Sequence, residues 1–257
     1  GGHRRLPREA RPGVDGDLMT LAVERRGKVT VLTLERPDRR NALTHGTLDA
    51  FVEALSDEDP MVIVITGSDG HFCAGADLTT VEDTEFTDLL HTVLERIRSG
   101  PWVSIAAVSG AAMGGGVQLA IACDLRVADS SARFAIPAGK LGLMVDHWTV
   151  ARLTGMVGQS TARAMLLGGA DLRFEEAQRT GLIQRTGGLD AALAWADEIT
   201  ALAPLSVLGH KISLNATEDV AFREEASAAF RRAWASADLQ EGLAAFREKR
   251  APRFEGR

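Results

Sequence analysis

The chain has 257 residues, of which 45% are hydrophobic and 25% charged, and its formal net charge at pH 7 is −6. This composition is typical of a soluble globular protein, and the acidic balance argues against nucleic acid as the main partner, because nucleic-acid binding favours a clustered basic surface. No apolar run is long enough to predict a membrane span. The N-terminus lacks the apolar core of a signal peptide, and the two cysteines provide no disulfide framework, so a cytoplasmic location is expected.

The N-terminal half of the sequence predicts strands that alternate with helices. Residues 1–18 are predicted to form a basic tail, and residues 21–24 and 29–34 a hairpin around Gly27. The apolar patterns then predict, in order, a helix at 42–55, a strand at 61–66, a helix at 86–97, a strand at 103–108, a helix at 117–122 and strands at 125–128 and 133–136. Asn41 and Thr44 are both candidate caps for the first helix. This alternation favours an α/β fold with parallel strands.

From residue 148 onward the pattern becomes almost wholly helical. Helices are predicted at 148–157, 160–167, 174–180, 189–203, 204–214, 220–235 and 239–246. The sequence therefore predicts a core at 19–200 and a C-terminal helical region at 201–257.

The most informative segment is a run of three glycines, 114–116, between the strand at 103–108 and the helix at 117–122. Glycines at such a junction let another group approach the backbone closely, and the free N–H groups of a helix start favour a negatively polarised ligand atom. A second small-residue turn, 72–78, follows the strand at 61–66. Two such turns suggest two backbone donors that converge on one oxygen.

Several ordered motifs resemble one known family. Residues 105–116 read Ile-Ala-Ala-Val-Ser-Gly-Ala-Ala-Met-Gly-Gly-Gly, and residues 74–78 read Ala-Gly-Ala-Asp-Leu. With Arg-Pro at 36–37, Arg-Asn-Ala-Leu-Thr at 40–44 and Cys-Asp-Leu-Arg-Val-Ala at 123–128, they resemble the crotonase (enoyl-CoA hydratase/isomerase) superfamily, from about residue 20 to 254. The resemblance implies an α/β spiral of ββα units, with C-terminal helices that form a trimerisation surface in a homotrimer or homohexamer.

The resemblance also implies an acyl-CoA thioester as the ligand, with no metal and no resident cofactor. The N–H groups of Ala76 and Gly115 would form an oxyanion hole around the thioester carbonyl. The implied coenzyme A contacts are Arg40, Ala42, Ala74, Ala76, Asp77, Leu78, Gly114, Gly115, Pro137 and Leu141. Arg40 is either a phosphate contact or a solvated arginine. Three further basic residues are either additional contacts to the nucleotide or part of solvated faces: Lys211, Lys249 and Arg250. An acyl tunnel or simply core is implied for Met113, Leu141, Leu143, Met144 and Trp148.

The chain departs from the family pattern at the two positions where hydratases carry glutamates. Gln118 and Ala138 occupy these positions. A carboxamide forms hydrogen bonds but exchanges no proton near neutral pH, and alanine does neither. Gln118 is either an orienting contact or water anchor for the ligand, or a helix residue that satisfies local backbone groups.

Asp146 is the carboxylate of most interest. It follows Ala138 at the spacing where some superfamily members, the dienoyl-CoA isomerases and a dehalogenase, carry a catalytic aspartate. It is either a base or nucleophile beside the acyl chain or the N-cap of the next helix, a role that Asp favours. The adjacent His147 is expected at the rim of the site, since neighbouring side chains at a helix start do not face each other.

The sequence supports two hypotheses of different classes. It most resembles actinobacterial homologues that lack both glutamates and end in a similar Lys-Arg-x-Pro-x-Phe tail, here at 249–254; that subgroup is associated with fatty acyl-CoA binding in lipid metabolism. The first hypothesis is a binding protein without ordinary hydratase activity. The alternative is an isomerase or related thioester lyase that uses Asp146 and the oxyanion hole.

Overall fold

The structure, a computed structural model, describes residues 20–56, 60–77, 84–141, 143–218 and 223–257. The strands are β1 (Leu21–Arg26), β2 (Val29–Leu34), β3 (Val62–Gly67), β4 (Val103–Val108), β5 (Ala111–Met113), β6 (Leu125–Ala128), β7 (Arg133–Ala135), β8 (Leu172–Arg173) and β9 (Arg185–Thr186). The helices are α1 (His45–Ala54), α2 (Thr84–Ser99), α3 (Gly115–Ala122), α4 (His147–Leu166), α5 (Phe174–Arg179), α6 (Leu189–Thr200), α7 (Pro204–Glu218), α8 (Arg223–Trp234) and α9 (Ala237–Glu248). Two 3-10 helices cover Pro37–Arg39 and Pro137–Leu141.

Two sheets organise the core. The larger has the strand order β1-β2-β3-β4-β6-β9, in which β1 and β2 form the predicted antiparallel hairpin and the other pairs are parallel. The smaller has the order β5-β7-β8. Strands β3 and β4 are buried along nearly their whole length, which explains their continuous apolar sequences. The predicted α/β class and the helical C-terminal region are confirmed.

The prediction of an almost purely helical second half was wrong in one respect. Strand β8 pairs with β7, and strand β9 adds to the edge of the large sheet beside β6. Strand β5 was also missed. Each of these strands has only two or three residues, so pairing with distant partners, rather than a local apolar pattern, creates them.

Helix α3 lies entirely in the core, with all eight residues buried. Two arginines bind its C-terminal carbonyl groups. The Arg126 guanidinium donates to the carbonyl oxygens of Ala120 (3.4 Å) and Cys123 (2.9 Å), and Arg152 donates to that of Ile121 (2.9 Å). Burial lowers the pKa of Arg126 to about 10, so this side chain keeps its charge near neutral pH.

A buried lysine connects the C-terminal helices to the sheet. Lys211 of α7 is 6% exposed, and its Nζ lies 2.9 Å from Asp124 Oδ2. The same Nζ donates to the carbonyl oxygens of Ile97 (3.2 Å) and Trp102 (2.8 Å). Both sequence interpretations of Lys211 are corrected here, because its ammonium group is neither solvated nor directed at a ligand.

Among the described residues, no single helix is long and apolar enough to cross a membrane. Helices α6 and α7 meet that criterion only as a pair, across a bend of 112°.

Candidate functional site

The two small-residue turns predicted to carry backbone donors lie against each other. The N–H of Cys73 donates to the carbonyl of Ala111 (2.9 Å), and the N–H of Met113 donates to the carbonyl of Cys73 (2.9 Å). On its other side, the first turn pairs with Leu43 in an isolated parallel bridge to Ala76. The segment around Ala76 is therefore held between two other stretches of backbone.

Close packing explains two of the glycines. A Cβ on Gly116 would lie 2.2 Å from the carbonyl oxygen of Cys73, and a Cβ on Gly75 would lie 2.6 Å from that of Met113. Gly75 also has φ +94°, which L-residues rarely adopt. These glycines bring the two turns together, whereas a Cβ on Gly114 would have no atom within 4 Å. Of these three, only Gly114 has the open surroundings expected for close ligand approach.

The N–H groups of Ala76 and Gly115 are neighbours and have no backbone acceptor in the described part of the chain. A Cβ built on Gly115 would lie 3.6 Å from Ala76 N, which shows how close the two positions are. Gly115 is the first residue of α3, so its N–H has no intrahelical acceptor. The N–H of the preceding residue, Gly114, is already donated to Ala135 (2.8 Å). This geometry is compatible with a pair of donors to one oxygen.

The cysteine inside the first turn is unreactive. Cys73 is fully buried, and burial raises the pKa of its thiol to about 12. Its Sγ accepts the N–H of Gly75 at 3.5 Å. The thiol therefore packs as a small apolar group.

The predicted coenzyme contacts near the N-terminus surround the first donor turn. Arg40 is exposed, and its backbone has a left-handed conformation (φ +49°). Its carbonyl accepts the N–H of Ala74 (2.9 Å). The carbonyl of Ala42 accepts from Arg36 at 2.9 Å. The carboxylate of Asp77 also binds Arg36, at 3.3 Å. Leu78 lies outside the described residues.

Gln118, at the first position where the resemblance implies a glutamate in hydratases, makes a structural contact. Gln118 is buried in α3, and its Nε2 donates to Thr149 Oγ1 of α4 at 2.8 Å. Thr149 is itself 0% exposed. Gln118 therefore links two helices, rather than satisfying local backbone groups as one of the sequence interpretations proposed.

Asp146 is the N-cap of α4. Its Oδ1 accepts the N–H of Thr149 at 2.8 Å, while its Oδ2 lies 3.9 Å from His91 Nδ1 of α2. The Asp146 side chain is 43% exposed. The predicted cap is confirmed, and Asp146, Thr149 and Gln118 form one continuous chain of contacts. His147 is exposed, as expected for a residue at the rim.

The segment around Ala138, the second position where the resemblance implies a glutamate, is more open. Pro137 and Ala138 are half-buried in the 3-10 helix, and the carbonyl of Ala138 accepts the N–H of Leu143 (2.9 Å). The side chain of Met144 is 88% exposed. The remaining residues assigned to an acyl tunnel differ in burial: Leu141 and Leu143 are exposed, while Met113 and Trp148 are half-buried.

The other two basic residues that were considered as nucleotide contacts lie in the C-terminal segment. The guanidinium of Arg250 binds Glu241 through two hydrogen bonds, of 2.6 and 2.9 Å, and Glu248 through a third. Lys249 is exposed. Arg250 is thus engaged within its own chain.

Sequence reasoning missed three residues that shape the site. Arg36 was noted only as part of a family motif, and Asn41 only as part of another motif and as a possible cap. The observed cap of α1 is Thr44, which accepts from the N–H of Thr47 (3.2 Å). No sequence signal marks Thr149 as the partner of Gln118, because the two are 31 positions apart.

The model of the enoyl-CoA hydratase/isomerase family matches residues 24–257. The chain belongs to this family. It is 40% identical to the "probable enoyl-CoA hydratase echA6" of Mycobacterium tuberculosis (strain CDC 1551 / Oshkosh), a match that covers 89% of this chain and 96% of the relative. It is 34% identical to the 2,3-dehydroadipyl-CoA hydratase of Escherichia coli (strain K12), with 92% and 99% covered.

Solved structures of the family have the same fold. The enoyl-CoA hydratase from Bacillus anthracis is similar with a TM-score of 0.85 at 26% identity, over 93% of this chain and 100% of that chain. The enoyl-CoA hydratase from Mycobacterium tuberculosis H37Rv has a TM-score of 0.81 at 31% identity, over 93% and 99%. The crotonase-like fold expected from the motifs is therefore confirmed.

Proposed function

We propose that this chain binds fatty acyl-CoA thioesters and holds the thioester carbonyl on the N–H groups of Ala76 and Gly115, without ordinary hydratase activity. The observation that carries the proposal is the pair of neighbouring N–H groups without backbone acceptors. Family membership supports acyl-CoA as the ligand class. Preorganised donors of this kind stabilise a polarised carbonyl oxygen.

The side chains at the two positions expected to transfer protons argue against ordinary hydration. A positioned acid or base typically contributes about 10²–10⁴ in rate, and neither Gln118 nor Ala138 can supply one. The amide of Gln118 is in addition bonded to Thr149. Binding energy at the carbonyl would then remain, while deprotonation of the water that adds to carbon 3 and protonation of carbon 2 would be lost.

Ligand stabilisation and turnover test this proposal together. Decanoyl-CoA at a hundred times its dissociation constant should raise the free energy of unfolding by about 2.7 kcal/mol, measured as a shift of the thermal midpoint. Crotonyl-CoA hydration should stay far below about 10 per second, the usual enzyme median. A protein that no acyl-CoA stabilises would contradict the binding function. Hydration near the median would contradict the absence of ordinary hydratase activity.

A second candidate function rests on Asp146. Its Oδ2 accepts no hydrogen bond in the described part of the chain, and His91 lies beside it. That oxygen would be the base of an enoyl-CoA isomerase, with the enolate oxygen on the two N–H groups. Replacing Asp146 with Asn should then remove isomerase activity by about 10²-fold or more at constant acyl-CoA affinity, whereas a cap alone predicts no such loss.

We further propose that the protein acts in the cytoplasm as a homotrimer or homohexamer. Support comes from large apolar side chains exposed on the C-terminal helices, Phe230, Trp234 and Leu243, since exposed apolar surface of this kind often marks an interface. Light scattering coupled to size exclusion should give three or six times 27.4 kDa. A monomer at micromolar concentration would contradict this assembly.

A further inference from the structure

A shielded ion pair lies directly beside the first donor. Nη1 and Nη2 of Arg36 each lie 3.3 Å from Asp77 Oδ2. Nη1 also donates to the carbonyl oxygen of Ala42 at 2.9 Å. The two side chains are only 17% and 14% exposed, so solvent and salt screen the pair less than an ordinary surface contact.

The pair connects the two backbone segments that determine where the Ala76 N–H points. Leu43 donates its N–H to the carbonyl of Gly75 (2.8 Å), and Asp77 donates its N–H to the carbonyl of Leu43 (2.9 Å). Ala76 lies between these two bonds. The Arg36 guanidinium donates to the carbonyl oxygen of Ala42, the residue before Leu43. It also donates to the carboxylate of Asp77, the residue after Ala76. One guanidinium thus joins both segments.

Arg36 is itself anchored to the end of β3. Its N–H donates to Asn41 Oδ1 at 2.9 Å. Asn41 is 0% exposed, and its Nδ2 donates to the carbonyl oxygens of Ser68 (2.9 Å) and His71 (2.7 Å). The connection therefore runs from the sheet through Asn41 and Arg36 to the segment that carries the donor.

We propose that Arg36 and Asp77 are positioning residues whose ion pair holds the Ala76 N–H in line with the thioester carbonyl. This inference rests on the proposed function and adds to it the side chains that set the strength of one donor. Asp77 then acts through Ala76 rather than by touching the coenzyme.

Two probes that differ only at the carbonyl test the proposal. Decanoyl-CoA presents the thioester oxygen, whereas S-decyl-CoA, with a methylene in its place, presents none. In Asp77→Asn and Arg36→Met, calorimetry should show affinity for decanoyl-CoA reduced about three- to tenfold, as for the loss of one hydrogen bond. Affinity for S-decyl-CoA should not change. The double variant should bind decanoyl-CoA no more weakly than Arg36→Met alone, because the two residues act as one unit.

The control removes a more exposed ion pair elsewhere, whose side chains are 39% and 60% exposed. Arg185 of β9 binds Glu198 of α6 at 2.9 and 2.6 Å, outside both donor turns, so Arg185→Met should leave both affinities unchanged. Circular dichroism checks that each variant is folded. If Arg36→Met does not fold, Arg36→Lys replaces it; this variant keeps the charge but loses the planar, two-armed contact, so a smaller loss confined to decanoyl-CoA is expected.

The outcomes distinguish a failure of this inference from a failure of the proposed function. Equal losses for both probes would mean that Asp77 acts on the coenzyme portion, and would overturn the inference. An unchanged preference for decanoyl-CoA in the folded variants would overturn it as well. If the unmodified protein does not prefer decanoyl-CoA to S-decyl-CoA, the carbonyl is not held by the donors, and the proposed function itself is overturned.

Discussion

The two sides of the candidate site consist of different chemical groups. The donor side, residues 72–77 and 113–116, presents backbone N–H groups fixed by hydrogen bonds between turns. The proton-transfer side, Gln118, Ala138 and Asp146, depends on side chains. On the donor side a methyl group added at Gly75 or Gly116 would collide with a carbonyl oxygen. On the other side, Gln118 bonds to a helix and Asp146 caps it. Under the proposed function, holding a carbonyl and moving a proton therefore depend on different parts of the fold.

The largest expected effect comes from introducing a carboxylate at both Gln118 and Ala138. Gln118→Glu combined with Ala138→Glu should raise crotonyl-CoA hydration by about 10²-fold or more, since positioned acids and bases contribute on this scale. The hydration rate is measured as the loss of absorbance of the conjugated enoyl thioester. Each single variant should gain much less, because residues that act together are not additive. A double variant that binds crotonyl-CoA without faster hydration would show that the donor side is not aligned for catalysis.

The next effect tests the packing of the donor side. Gly116→Ala should lower the free energy of unfolding by about 2–3 kcal/mol, because its Cβ would lie 2.2 Å from the Cys73 carbonyl oxygen. Urea denaturation measures the change. Gly139→Ala is the matched control: its Cβ would meet no atom within 4 Å, so a change within about 0.5 kcal/mol is expected. Equal effects at the two positions would argue against tight contact between the turns.

A smaller effect concerns the hydrogen bond between Gln118 and Thr149. Thr149→Val keeps the shape of the side chain but removes the acceptor of Gln118 Nε2, which should cost about 1–2 kcal/mol of stability. Gln118→Leu together with Thr149→Val should recover part of that loss, since no buried polar group is then left unpaired. If the double variant is destabilised by the sum of the single changes, the contact does not couple α3 to α4.

The smallest effect belongs to the helix cap. Asp146→Ala should lower the free energy of unfolding by about 1 kcal/mol, whereas Asp146→Asn, which retains capping ability, should cost much less. Thermal denaturation of the two variants provides the comparison. Equal losses would indicate that the charge of Asp146, rather than its cap hydrogen bond, stabilises this side of the site.

Local sequence patterns were sufficient for the long elements of the fold. Strands β2, β4 and β6 have the predicted bounds because each is a mostly apolar segment. The predicted break between two helices, at 158–159, corresponds to Gly158, whose φ of +77° and ψ of 159° kink α4. Strands β8 and β9 could not be predicted, since two residues carry no periodicity.

The same limit applies to the site. The glycine turns and the Asp146 cap are local, and their sequences indicated them. The partners of the site residues are not local: Asp77 binds Arg36 across 41 positions, and Lys211 reaches the carbonyl of Trp102 across 109. A solvated lysine and a buried one look alike in sequence, because what distinguishes them is a carboxylate placed by the fold.

The arginines at the far end of α3 bear on the electric field at its glycine end. Every helix has a positive pole at its N-terminus and a negative pole at its C-terminus. Because Arg126 and Arg152 offset the negative pole, the field along the axis of α3 is dominated by its positive end, where Gly115 lies. A thioester carbonyl bound there would be polarised, and its infrared stretching band would lie at lower frequency than in water. That band would report the strength of the donor pair without any turnover.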